Sequence, residues 1–233
     1  MLRNTDLFNA IDETWPAHTV TKLENWIIRE GCGGGQRVSA TSGSGDIAAA
    51  EKAMIALGQS KLFMVQGQQI ALDAELASRG YVFKDPVDLL VGDAKVLADG
   101  FHPKLNAIFA KFPMPILAEI WAKGDIGSAR LDVMERVLCD KAFIMGRFGE
   151  RAAAAAFIAA SNGICMAHAV EVLTNKRRQG IAERMMRAAA WWGLQQGAET
   201  FCVLAAQANK NAQRLYRKMG METVGQYHYR IKE

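Results

Sequence analysis

The chain has 233 residues, half of them hydrophobic and 22% charged, with a formal net charge of +4. This is the balance of a folded globular protein and excludes a disordered one. The longest uncharged apolar stretch, residues 152–160, falls far short of the ~18 residues that span a bilayer, and polar residues from Arg3 to Asp12 interrupt any secretory core. A cytoplasmic location without a membrane partner is expected. Cys32, Cys139, Cys165 and Cys202 lie far apart with no C-x-x-C pair, the usage of free thiols in a reducing compartment, and no metal site is expected.

In chain order, residues 25–30 predict a strand, Gly33 to Gly35 a turn, and residues 36–42 a second strand. Asp46 predicts the N-cap of a helix running to Leu57, stopped by Gly58. Residues 61–65 predict a short strand, 70–78 a helix and 81–91 a strand in which Pro86 marks an edge or a bulge. Amphipathic helices are expected over 103–112, 116–123 and 128–138, broken by Pro113, Pro115, Gly124 and Gly127. Three strands then form a meander over 142–148, 152–160 and 164–173. Alanine propensity alone would make 152–156 helical, but the Asn162-Gly163 turn between apolar runs is a strong hairpin signal. A helix over 180–196 carries Ile181, Met185, Ala188 and Trp192 on one stripe, and 201–206 is a strand buried on both faces. A helix over 211–219 and a strand over 224–231 complete the chain.

The order helix, buried strand, helix, glycine, strand thus occurs twice, near 46–91 and 180–231. Two α/β lobes of common ancestry follow, residues 1–100 and 101–233, joined around residues 98–103.

The segment from Val170 to Ala182 carries the most chemistry. A strand runs through a short basic loop directly into a helix, whose first N–H groups are unpaired and carry about half a positive charge. Gly180 permits close backbone approach to a bulky anion, and Arg177 and Arg178 add charge. This is a cradle for a pyrophosphate. It is not a P-loop, whose G-x-x-x-x-G-K-S/T pattern is absent.

Arg177-x-x-Gly180-x-Ala182 resembles the R/Q-x-x-G-x-G/A signature of the GNAT superfamily of N-acetyltransferases. Further on, Asn209-x-x-Ala212-x-x-Leu215-Tyr216-x-Lys218-x-Gly220-Met221 resembles that family's second signature. The resemblance covers residues ~105–233. It implies an α/β (α+β) fold of two GNAT-like lobes, each a mixed, mostly antiparallel sheet flanked by helices. It further implies acetyl-CoA as cosubstrate and direct transfer of the acetyl group to a small-molecule or peptide amine.

On that resemblance, backbone groups of Val170, Glu171 and Val172 would hold the pantetheine arm, and the Val172 N–H would polarise the thioester carbonyl. Amides from Arg178 through Gln179, Gly180 and Ile181 to Ala182 would hold the pyrophosphate. Asn209 would contact the cofactor arm, and Tyr216 would protonate the departing thiolate. Departures are Thr174 for a usual proline, Arg178 for a common glycine and Met221 for phenylalanine; none removes a catalytic atom.

The general base is left open between His168, Glu171 and a water. Strand alternation puts Met166, His168, Val170 and Val172 on one face and Ala167, Ala169 and Glu171 on the other, which favours His168. Its ordinary pKa also suits the task. Tyr227 and Tyr229 are expected to point one way and His228 and Arg230 the other, with one of these touching the acceptor. Trp121, Trp191 and Trp192 are expected to pack.

The first lobe lacks the phosphate arginine. Its Gly43-x-Gly45-x-x-Ala48 imitates a dinucleotide fingerprint, but the following strand ends in Gln66 and not in the acid that binds a ribose. Leu76 stands at the place of Tyr216. With Trp26-x-x-Arg29 and Gly35-x-Arg37-Val38, this half resembles the degenerate N-terminal lobe of tandem GNAT proteins, whose task is to cover the sheet and wall the acceptor cleft. A non-catalytic acyl-CoA sensor or scaffold is the alternative function. Nucleic-acid binding is not expected, because the basic residues cluster at the two helix starts and no helix-turn-helix pattern occurs.

Overall fold

A computed structural model describes residues 3–101 and 107–233 of the chain. Helix α1 (Asn4–Thr14) leads into a hairpin of β1 (Thr19–Leu23) and β2 (Trp26–Glu30). After it come α2 (Gln36–Ser39) and β3 (Ser42–Gly43), and β1, β2 and β3 form a small sheet. Two of these elements differ from expectation. Residues 36–42 are not one strand: Gly35 adopts φ +100°, a helical turn buries Val38, and the Ala40 N–H closes that turn on the Gln36 carbonyl. Helix α1 had no place in the sequence reading. It is held by the burial of Leu7, Ala10, Ile11 and Thr14, a contact made with strands far along the chain.

Next come α3 (Ile47–Ala56), β4 (Lys61–Gln66), α4 (Ile70–Ser78), β5 (Val82–Asp93) and α5 (Ala94–Ala98). Asp46 caps α3 as predicted, accepting from the Ala48 N–H at 3.0 Å. The second half runs through β6 (Ala107–Ala110), α6 (Pro115–Ala122), α7 (Ser128–Arg136), β7 (Asp140–Phe148), β8 (Arg151–Ser161) and β9 (Ile164–Val172). A 3-10 turn (Thr174–Lys176) connects to α8 (Ile181–Gln195), β10 (Thr200–Ala206), α9 (Lys210–Lys218) and β11 (Glu222–Lys232). The helix expected over 103–112 begins outside the described residues. Its described part is β6, which pairs with β7 from Ala107↔Gly146 to Ala110↔Phe143, so sheet pairing overrides the local pattern.

Among the described residues, eight strands form one mixed sheet in the order β4-β11-β5-β10-β9-β8-β7-β6, in which only β9 and β10 pair in parallel. The repeated order of elements is real, but the two halves interleave within this sheet. Strand β5 lies between β10 and β11, and β11 lies between β4 and β5. Each half therefore inserts its last strand beside the last strand of the other, leaving no open edge between them. Pro86 sits at a bulge of the central β5, where Val87 pairs with Tyr227 and Lys84 with Tyr229.

The meander is strand, as the turns predicted. Along β8, Ala154, Ala156 and Ile158 face α8, while Ala155, Phe157 and Ala159 join the cluster of α6 and α7. A strand covered on both faces has little room, and alanine lets the helices approach closely. Gly146 serves the same need: a Cβ there would lie 2.5 Å from Met185 Sδ. In the first half, the dinucleotide-like glycines turn out to be packing devices. A Cβ on Gly45 would lie 2.9 Å from the Trp26 indole nitrogen, and that nitrogen donates to the Asp46 carbonyl.

Candidate active site

The site originates in a defect of β9. Its pairing with β8 slips between Ala155↔Glu171 and Phe157↔His168, so Ala169 and Val170 oppose one residue, and Ala169 takes φ +48°. Such a bulge bends the strand and re-aims its side chains. The buried Trp121 indole donates to the Ala169 carbonyl at 2.7 Å and fixes the bend. Parallel pairing to β10 stops at Val203↔Ala167. Beyond that point the strands splay, and among the described residues no strand lies beside the β9 edge from His168 to Val172 on that side. N–H groups alternate between the edges of a strand. Leu173 donates to the Ala153 carbonyl on β8, so the Val172 N–H faces the open edge.

The bulge also overturns one expectation. The predicted alternation put His168 on the face of Val170 and Val172, with Glu171 opposite. Instead Val170 and Val172 pack toward α8, whereas His168 stacks against Phe157 and Trp15 on the other face. Glu171 returns to the His168 side, where a Cβ on Gly124 would lie 2.6 Å from its carboxyl. One extra residue inverts every side chain beyond it.

The splay opens onto a groove of about 610 Å³. At one end lies the start of α8, the longest helix. Gly180 caps it at φ +72°, Arg178 precedes at φ +63°, and no side chain among the described residues satisfies the first N–H groups. By contrast, Asp46, Asp93 and Asn209 cap α3, α5 and α9. An uncapped helix start at the mouth of a groove leaves its donors and its dipole for an anion. Glu183 in the first turn is neutralised by Lys218 at 3.0 Å and Arg187 at 3.2 Å, and the bond from Lys218 chiefly holds its carboxyl below the usual range.

Of the residues singled out from the sequence, Val170, Glu171, Val172, Arg177, Arg178, Gly180, Ile181, Ala182, Asn209, Tyr216 and His168 all line this groove. Gln179 does not; its carbonyl accepts from Arg184 at 3.1 Å. Arg177 is turned back onto the strand, donating to the Val172 carbonyl and to Glu171, both at 3.0 Å, so it braces the groove wall. Asn209, which lines the groove, spends its oxygen on the Ala212 N–H, so its amide nitrogen is the group it can offer a ligand. Tyr216 is buried, and burial pushes its phenol up to about 12, so it stays protonated at neutral pH.

His168 is buried and engaged at both nitrogens. Thr14 Oγ1 donates to the Ala10 carbonyl at 2.6 Å, so at 2.9 Å from His168 Nε2 it accepts that nitrogen's proton. Nδ1 is then the unprotonated atom, and it accepts from Arg37 Nη1 at 3.2 Å. Burial first, and the Arg37 charge second, hold the imidazole well below its ordinary pKa. Sequence reasoning noted Arg37 within a pattern but could not connect it to His168. Thr14, Trp15, Leu204 and Ala206 carried no signal at all, since only the packing of α1 and the splay of β10 bring them to the site.

Residues 123–221 match the profile of a family described as the acetyltransferase (GNAT) family. No curated protein matches the sequence. Among solved structures, a GCN5-related N-acetyltransferase from Kribbella flavida superposes with a TM-score of 0.74 at 15% identity, over 97% of this chain and 94% of that one. A functionally unknown conserved protein from Staphylococcus epidermidis gives 0.68 at 13% identity over 95% and 96%. A tandem GNAT protein from the clavulanic acid biosynthesis pathway gives 0.59 at 12% identity over 80% and 68%. At these identities the likeness is one of fold.

Proposed function

We propose that this chain is an acetyl-CoA-dependent N-acetyltransferase that transfers an acetyl group directly to an amine, a reading supported by the match of residues 123–221 to the GNAT acetyltransferase family. The observation that carries the reading is the continuity of one groove, from the uncapped start of α8, along the unpaired β9 edge, to the Tyr216 phenol. The coenzyme supplies an acyl group activated as a thioester. The amides from Arg178 to Ala182 hold its pyrophosphate, the Val170–Val172 edge holds its arm as an added strand, and the Asn209 amide contacts that arm.

The chain's own work at the reacting centre is then short. The Val172 N–H donates to the thioester carbonyl and polarises it. The Tyr216 hydroxyl, protonated and facing the groove, delivers a proton to the departing sulfur. Glu171, brought to the His168 side by the bulge, takes the proton of the attacking amine, directly or through a water. His168 acts as a positioning residue, because its one free lone pair already accepts from Arg37. The first half walls the acceptor side as a degenerate lobe, and its single sheet with the second half supports that task. Four free cysteines support a reducing cytoplasmic setting.

The locked imidazole is also the one observation that favours a non-catalytic acyl-CoA sensor or scaffold. Calorimetry with acetyl-CoA, combined with thiol release over an amine panel, separates the two. Binding with turnover supports the transferase, binding without turnover supports the sensor, and the absence of both removes the coenzyme reading.

A further inference from the structure

A second cavity of about 360 Å³ adjoins the groove, sharing Arg37, Ala169, Leu204 and Ala206 with it. Its walls are aromatic, from Trp15, Tyr227 and Tyr229, and its charge comes from Arg37, Arg130 and the exposed Asp85.

The two arginines are held and uncompensated. Among the described residues neither enters an ion pair. The Arg37 side chain gives one hydrogen bond to the neutral His168, and its Nε is shielded from solvent with no partner. Its guanidinium lies over Trp15, 5.7 Å from the ring centroid. The Arg130 guanidinium sits where a Cβ on Gly35 would be 3.6 Å from Nε and 3.7 Å from Nη2. Helix α7 packs closely on this loop: a Cβ on Gly34 would be 2.6 Å from Val133 and one on Gly33 3.3 Å from Ala129. Two cations thus line a partly enclosed, aromatic pocket in which the exposed Asp85 pairs with neither. That arrangement is unfavourable until an anion enters, and guanidinium groups match a carboxylate in shape and charge. A polyamine or other cationic acceptor would meet repulsion there.

Resting on the acetyltransferase reading, we propose that the acceptor is an amine carrying a carboxylate, with the chemistry of an amino acid. Arg37 and Arg130 hold the carboxylate, and the amine enters the groove past Ala169 and Leu204. Arg37 stands at the junction itself, so the carboxylate lies close to the reacting nitrogen.

The test is thiol release by the full chain with acetyl-CoA and a panel of amino acids, each paired with its own carboxamide, beside polyamines. The carboxylate member of a pair should be used with kcat/KM about ten- to a hundredfold above its amide, the range of a charge-assisted bond. Arg130→Gln should raise KM for the carboxylate acceptors by a similar factor with kcat largely kept, and Arg130→Lys should recover part of it. Coenzyme affinity by calorimetry should match that of the parent in both variants. Equal use of acids and amides, or a preference for polyamines, with the coenzyme bound, overturns the proposal and leaves the transferase reading standing. Absence of coenzyme binding and of thiol release with every amine removes both.

Discussion

Arg37 Nη1 donates to His168 Nδ1 across 3.2 Å, joining residues 131 apart in the chain and tying the first half to the floor of the groove. Thr14 completes the clamp from α1. The imidazole is thereby fixed as a neutral acceptor, and this has a measurable consequence.

A histidine whose folded pKa is depressed contributes stability that is fully present above its ordinary value of about 6.5 and is lost as pH falls below it, because the unfolded chain then takes up the proton first. Between pH 7 and 5 the unfolding free energy should therefore fall more steeply in the parent than in His168→Gln, by up to about 1.4 kcal/mol per pH unit. Denaturant titrations at several pH values read this directly. Parallel curves would remove the locked-imidazole account.

Tyr216→Phe should lower kcat about a hundredfold with coenzyme affinity nearly unchanged, the loss typical of a missing general acid. Since burial raises the phenol to about 12, the pH–rate profile should show no alkaline limb from this group below that value. A limb near 10 that disappears in the variant would contradict the burial seen here.

Glu171 can be probed without touching it. Gly124→Ala places a methyl 2.6 Å from the Glu171 carboxyl, the movable end of a side chain, so the fold should survive while kcat drops. Glu171→Gln should drop kcat about a hundredfold if it takes the amine's proton. Full activity in both variants would return the role to a water alone.

Gly180→Ala must adopt φ +72° and approach Arg184 Nη1 at 3.1 Å. The left-handed backbone should cost about 1 kcal/mol of stability, read by chemical denaturation. Coenzyme affinity should weaken with it, since the amides of the helix start are displaced. Unaltered affinity would place the pyrophosphate elsewhere.

Trp121→Phe removes the donor to the half-buried Ala169 carbonyl and leaves it without its indole partner, at a cost of about 1 kcal/mol. The bulge should relax, raising KM for the coenzyme more than it lowers stability relative to other core aromatic changes. An unchanged KM would show that the bend holds without the indole.

The sequence by itself determined the elements whose causes are local. Asp46 and Asn209 cap helices because their oxygens reach N–H groups two or three residues on, and Asn162-Gly163 makes a hairpin because both residues tolerate positive φ. The succession of strand, basic loop and glycine-opened helix up to Ala182 was legible for the same reason, since its parts are contiguous in the chain. Tertiary structure alone decided the rest. The bulge at Ala169 is bonded by an indole 48 residues away, and it moved His168 off the face of Val172 and onto that of Glu171. The exchange of last strands between halves, and the meeting of Thr14, Arg37 and His168, arise from burial and pairing between distant segments, which no local pattern of residues encodes.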